Sequence, residues 1–192
     1  RDPYGLTACV FNDNSLWNLK SLTLPETTQS INIGNNAQVP KSLTRLIIPT
    51  SITTGQLILS YSPIEYLYVK GGTYTINSNY ARTLKELVFD ANTNITLAGT
   101  TNNPFQGTLS MKKLKLPTSI TNYNFTYLSY NLEVIDMTNY DTPPTLGNAT
   151  IQTLNQQALK CKIVVPDSLY NTYISNWSSV ASRIVKESEY YS

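Results

Sequence analysis

The chain writes one phrase twice: "LTRLIIPTSIT" begins at Leu43 and "MKKLKLPTSIT" at Met111. Aligning the apolar residues before each turn extends this pair to seven copies. They are "LKSLTLP" from Leu19, "LTRLIIP" from Leu43, "IEYLYVK" from Ile64, "LKELVFD" from Leu84, "MKKLKLP" from Met111, "LEVIDMT" from Leu132 and "KCKIVVP" from Lys160. Apolar residues hold the first, fourth and sixth places, with Lys160 the one exception. Successive copies start 24, 21, 20, 27, 21 and 28 residues apart. A sustained period in this range is the mark of stacked repeats.

The spacing has a direct physical reading. Fourth and sixth places lie on the same side of a short strand. One such strand cannot bury its apolar side alone, but copies stacked about 4.8 Å apart make one sheet and one core. Proline at the seventh place (Pro25, Pro49, Pro117, Pro166) ends the strand because it has no N–H for the ladder. Thr-Ser-Ile-Thr then turns the corner. Ile52 and Ile120 re-enter the core there, with Ile31, Ile76 and Ile95 in related places.

The two ends differ from the middle. In "PDSLYNTYISNWSSVASRIV", the residues Leu169, Tyr173, Trp177, Val180 and Ile184 fall on one helical face. Asp167 or Ser168 stands where an N-cap belongs. One amphipathic helix is therefore expected to cover that end of the core. Residues 1–18, with Leu6, Val10, Phe11, Leu16 and Trp17, are expected to cover the other. Cys9 and Cys161 would then lie several strands apart, too far for a disulfide.

Composition narrows the function. Charged residues make up only 14% of the 192 and the net charge is +2, with no run of Lys or Arg. Nucleic acid is not an expected partner, since its binding rests on clustered positive charge. No apolar stretch approaches the roughly 20 residues of a membrane span. An export segment upstream of Arg1, removed or left out, and an anchor there are compatible with the abrupt start. Histidine is absent, which removes the usual general base and the usual zinc ligand. "DANTN" from Asp90 resembles the start of a calcium loop, but Ile95 and Thr101 stand where Gly and Glu are needed. No metal or cofactor is expected.

The "LxxLxLP…SIT" unit resembles the BspA-like leucine-rich repeat of bacterial cell-surface proteins. The resemblance runs from about Leu19 to Glu187. Its best copy, "LKLPTSITNYNFTYLSYNLEVIDM", carries the pattern at Met111, Leu114, Leu116, Pro117, Ile120, Phe125 and Leu132. The tail is similar to the family's C-terminal ending at Val165, Pro166, Tyr173, Trp177 and Ile184. This implies a leucine-rich-repeat solenoid, a right-handed superhelix with short parallel strands. Its parts would be an N-terminal cap (1–18), about seven repeats (19–166) and a C-terminal helical cap and tail (167–192). The family's Ala-Phe pair is mostly missing, so the convex side is expected to be irregular and turn-rich. The resemblance also implies an exported, cell-surface protein that adheres to host proteins or other cells, acting as a monomer.

The third and fifth places face outward from such a sheet. The row reads Ser21 and Thr23, Arg45 and Ile47, Tyr66 and Tyr68, Glu86 and Val88, Lys113 and Lys115, Val134 and Asp136, Lys162 and Val164. Arg45, Tyr66, Tyr68 and Glu86 form its candidate binding centre, because Tyr and Arg concentrate interface energy. Lys113 and Lys115 add a small positive spot beside Asp136. Cross-strand packing of β-favouring residues is the plainer explanation of the tyrosines, because strands prefer Tyr anyway. At the second place, Glu65 would neighbour Lys85, and Lys112 would neighbour Glu133.

Catalysis is not expected. Glu86 and Asp136 are the best carboxylate pair, but two strand spacings put them about 9.6 Å apart, at the limit even for an inverting glycosidase. Three functions stay open: a non-catalytic binding or adhesion module for an extracellular protein, a glycan-binding module, and a rigid spacer. A protein partner would feel salt, a glycan would depend on the tyrosines, and a spacer would bind nothing.

Overall fold

The computed structural model describes residues 8–10, 18–33, 39, 41–60, 62–78, 80–97 and 104–192. Leu6, Phe11, Leu16 and Trp17 lie outside them, and only the backbone of Cys9 and Val10 is described. In chain order the first nine strands are β1 (Ala8–Val10), β2 (Ser21–Thr23), β3 (Ser30–Ile33), β4 (Arg45–Ile48), β5 (Thr54–Ile58), β6 (Tyr66–Val69), β7 (Thr73–Asn77), β8 (Glu86–Phe89) and β9 (Asn94–Leu97). Then come β10 (Lys113–Lys115), β11 (Asn122–Tyr123), β12 (Val134–Asp136), β13 (Thr145–Leu146) and the helix α1 (Asn148–Gln156). The chain closes with β14 (Lys162–Val165), α2 (Tyr170–Asn176), β15 (Ile184–Lys186) and α3 (Glu187–Tyr190).

The strands sort into parallel sheets. Each of the seven repeat copies supplies one strand to an eight-stranded sheet, ordered β2-β4-β6-β8-β10-β12-β14-β15. Their fourth-place residues Leu46, Leu67, Leu87, Leu114, Ile135 and Ile163 form a buried column. The sixth-place residues Leu24, Ile48, Val69, Phe89, Leu116, Met137 and Val165 form a second. In the last copy, Lys160 is exposed and Cys161, one place on, is buried instead.

The repeated corner has a hydrogen-bonding cause. In two of the three copies without proline at the seventh place, its N–H continues the ladder: Lys70 donates to the Ile48 carbonyl at 3.0 Å and Asp90 to that of Val69 at 2.9 Å. Proline removes that bond at Pro49 and Pro117, so the chain leaves the sheet there. The serine of PTSIT then ties each corner to the copy before it. Ser51 donates to the Thr28 carbonyl at 2.8 Å, and Ser119 to that of Thr93 at 3.1 Å. Ile52 is fully buried after this turn, while Ile120 is partly buried.

The return side departs from the expectation of irregular turns. Over its first half it is a second parallel sheet, ordered β1-β3-β5-β7-β9. The segments alternate inward apolar and outward polar residues, as in "TYTIN" at Thr73–Asn77, whose pattern is exposed, buried, exposed, buried. Their inward residues, such as Ile31, Ile33, Leu57, Tyr74, Ile76 and Ile95, join one core with those of the larger sheet. Gly55 lies between Ile31 and Tyr74 in register. A Cβ there would stand 2.7 Å from the Ile31 carbonyl oxygen and 3.0 Å from the Tyr74 ring. The missing side chain is what admits the tyrosine. Past β9 this side continues as the short pair β11–β13 and then α1. The last repeat spacing, from Leu132 to Lys160, is the longest at 28 residues and holds α1.

The expected single C-terminal helix is broken. Its face is buried at Tyr173, Trp177, Val180 and Ile184, but α2 ends at Asn176 and Trp177 leaves helical geometry at φ −113°, ψ 40°. The Trp177 indole N–H donates to the Pro144 carbonyl at 3.0 Å, and a 3-10 turn follows over Ser178–Arg183. Ile184 then lies in β15, which pairs with β14, as its β-branched neighbourhood favours. Neither Asp167 nor Ser168 caps α2, whose N-cap is Leu169. Asp167 instead accepts hydrogen bonds from the backbone and hydroxyl of Ser188. Among the described residues, no helix is long and apolar enough to cross a membrane.

Candidate functional site

The outward row is continuous in register across the large sheet. Its third places run Ser21, Arg45, Tyr66, Glu86, Lys113, Val134 and Lys162. Its fifth places begin Thr23, Ile47, Tyr68, Val88 and Lys115 and end with Asp136, Val164 and Val185. Side chains on neighbouring strands therefore touch, and they do so in two separate groups.

The first group joins Arg45, Tyr68 and Glu86. The Tyr68 hydroxyl donates to Glu86 Oε2 at 2.6 Å. The Arg45 guanidinium lies 5.3 Å from the centre of the Tyr68 ring. Partial burial, then the Glu86 bond and charge, push the Tyr68 pKa up to about 12. Tyr66 sits beside them with Lys85 Nζ 5.8 Å from its ring centre, and Lys85 is held in turn by Glu65 at 2.7 Å. Tyr66, Tyr68, Glu86, Ile47 and Val88 are all half-buried and Arg45 is exposed, so this part of the face is open.

The second group gathers around Asp136, which is only 3% exposed. Thr138 donates to Oδ1 from its N–H at 3.1 Å and from its hydroxyl at 2.6 Å. Lys115 Nζ lies 3.5 Å from Oδ1, and Lys113 Nζ 3.4 Å from Oδ2. Burial pushes the carboxyl pKa up, but the Thr138 bonds and the Lys115 charge outweigh it and hold it below the ordinary value. The remaining partner comes from the far end of the chain. The Tyr191 hydroxyl donates to Oδ2 at 2.8 Å and accepts from Lys113 Nζ at 2.9 Å. Burial, with Asp136 close by, pushes the Tyr191 pKa well up.

The six residues singled out in the sequence thus divide. Arg45, Tyr68 and Glu86 meet directly, with Tyr66 alongside on Lys85. Lys113 and Lys115 share the one Asp136 carboxylate, so both are ion-paired and a net charge of +1 remains there. Thr138 and Tyr191 complete that second group and carry no repeat signal. Lys85 could be read from the second-place pairing with Glu65, and the Lys112–Glu133 pair also forms, at 2.9 Å between exposed side chains. A groove of about 400 Å³ lies elsewhere, with Thr118, Thr121, Tyr140 and Pro144 among its lining. There the Tyr140 hydroxyl is engaged by the Pro117 and Ile120 carbonyls.

No family model, no curated protein and no solved structure matches this chain.

Proposed function

We propose that this chain is a leucine-rich-repeat solenoid of the BspA-like kind, a non-catalytic binding or adhesion module of an exported, cell-surface protein. Its outward strand face takes an extracellular protein partner. The observation that carries this reading is the Arg45–Tyr68–Glu86 group, held open to solvent on three adjacent strands. Arginine and tyrosine on a rigid, half-dry platform are what protein hot spots are made of. Strands hold them in place, so little order is lost when a partner docks.

A protein partner is favoured over a glycan by what already covers the rings. Arg45 lies over Tyr68 and Lys85 over Tyr66. A stacking sugar would have to displace a cation, each such contact being worth ~0.5–1 kcal/mol. A carboxylate or carbonyl from a protein can instead join the Arg45 end without disturbing the stack.

The test is a screen of the immobilised domain against extracellular matrix proteins and polysaccharides, with the Tyr66→Ala/Tyr68→Ala double variant beside it. The proposal expects a protein hit that the double variant loses and that weakens as salt is raised. Capture of polysaccharides alone, with no salt dependence, would transfer the function to glycan binding. Binding of nothing would leave the spacer role.

A further inference from the structure

The second group on the face is a ready-made receptor for a phenol. Asp136 Oδ1 is saturated by Thr138 and Lys115. Its Oδ2 faces Lys113 and the Tyr191 hydroxyl. That hydroxyl is used in both senses, donating to the carboxylate and accepting from the ammonium. Lys113 Nζ also lies 5.0 Å from the ring centre. Phenylalanine could make only the last of these contacts.

The occupant is held lightly. Tyr191 is 50% exposed and Tyr190 38% exposed. The α3 helix is four residues long with no side-chain cap, too short to persist on its own. Its firm tie, Ser188 on Asp167, lies at the α3 end nearer β15 and does not involve Tyr191. The two lysines and the carboxylate stand on β10 and β12, outside the tail. The site also adjoins the open group in register, since Lys113 pairs with Glu86.

We infer that the Lys113–Lys115–Asp136 site is a tyrosine-recognition subsite of the strand face, and that Tyr191 is a displaceable occupant from the chain itself. A partner protein that presents an unmodified tyrosine would exchange with the tail and so engage both halves of the face. The inference rests on the strand face being the binding surface.

The test uses the full chain carrying Tyr191→Ala and the peptide KESEYYS, which copies Lys186–Ser192. The backbone amide signals of Lys113, Lys115, Val134 and Asp136 are followed by NMR as peptide is added to several millimolar, because a tethered tail acts at about millimolar effective concentration. The expected result is saturable shifts at those residues in the variant and at least about tenfold weaker binding to the wild-type chain, whose own tail competes. A peptide with phenylalanine in place of Tyr191 should bind about tenfold more weakly, having lost two hydrogen bonds. Lys113→Ala in the Tyr191→Ala background should weaken both peptides, and the tyrosine peptide more, because it loses the ammonium hydrogen bond as well as the cation–ring contact. Equal binding of the two peptides, equal binding to wild type and variant, or no shift at any concentration overturns the inference. Such a failure would leave the Tyr66/Tyr68 screen standing, and a failed screen would leave this titration standing.

Discussion

The two halves of the outward face occupy equivalent places in the same repeat, yet they end in opposite environments. On β4, β6 and β8 the third- and fifth-place residues Arg45, Tyr66, Tyr68 and Glu86 stay exposed or half-buried. On β12 and β14 the equivalent Val134, Asp136 and Val164 are 4%, 3% and 0% exposed, where α3 packs on β14 and Tyr191 reaches Asp136. The carboxylates show the difference most plainly. Glu86 and Asp136 each accept a tyrosine hydroxyl and each have a cation within reach of that ring. Glu86 does so in the open, with a tyrosine from the next strand. Asp136 does so under cover, with a tyrosine from the tail and two lysines. The repeat therefore sets where a side chain points, and a distant segment decides whether water reaches it.

The sharpest way to break this comparison is to remove the two carboxylates in turn. Asp136→Ala removes the buried carboxylate that Lys113, Lys115, Thr138 and Tyr191 share and should cost about 3 kcal/mol, as loss of one partner from a buried ionic group does. Glu86→Ala removes a solvent-accessible partner and should cost about 1 kcal/mol or less. Urea unfolding of both variants measures the gap, and equal losses would mean that the tail does not shelter Asp136.

Acid probes the same contrast through titration. Because the Asp136 pKa is lowered from 3.8 in the fold, its contribution is fully present above that value and is lost as the pH falls through the folded pKa. Thermal unfolding of wild type and Asp136→Asn should differ most at neutral pH and converge as the pH is lowered below the ordinary carboxylate range. A constant difference across that range would show that the carboxylate's charge is not what stabilises the covered half.

Smaller effects belong to the solvent-accessible side chains. Tyr68→Phe removes one hydrogen bond to a charged, half-exposed acceptor and should cost about 1 kcal/mol by urea unfolding, with the fold unchanged by circular dichroism. Lys112→Ala breaks a pair whose side chains are 54% and 58% exposed, and its stability should stay within about 0.5 kcal/mol of wild type. A loss near that of Asp136→Ala at either position would erase the distinction between sheltered and solvent-accessible groups.

The larger sheet was legible in the sequence because its signal recurs. Leu46, Leu67, Leu87 and Leu114 each sit in the middle of an apolar-rich copy, and seven such copies fix one another's register. The outward order Arg45, Tyr66, Glu86, Lys113 follows from that register alone. The second sheet was harder to see. "SINI" and "TYTIN" carry only two core residues each, and the small inward residue at Gly55 makes sense only beside the Tyr74 ring. The C-terminal face was read correctly as buried, but a four-residue spacing cannot show that Trp177 will turn out of the helix to reach Pro144. Tyr191 was invisible for a different reason. It meets Asp136 across 55 residues of sequence, and nothing periodic links the two.

The most direct measurement is solvent exposure of the face's own methyl groups, read by NMR with a soluble paramagnetic probe in wild type and in Tyr190→Ala/Tyr191→Ala. The account predicts that Val134 and Val164 are protected in wild type and become accessible in the variant, while Ile47 and Val88 stay at the same intermediate exposure in both. Val134 and Val164 equally accessible in the two proteins, or protected in both, would contradict a strand face that is open at one end and closed at the other by its own tail.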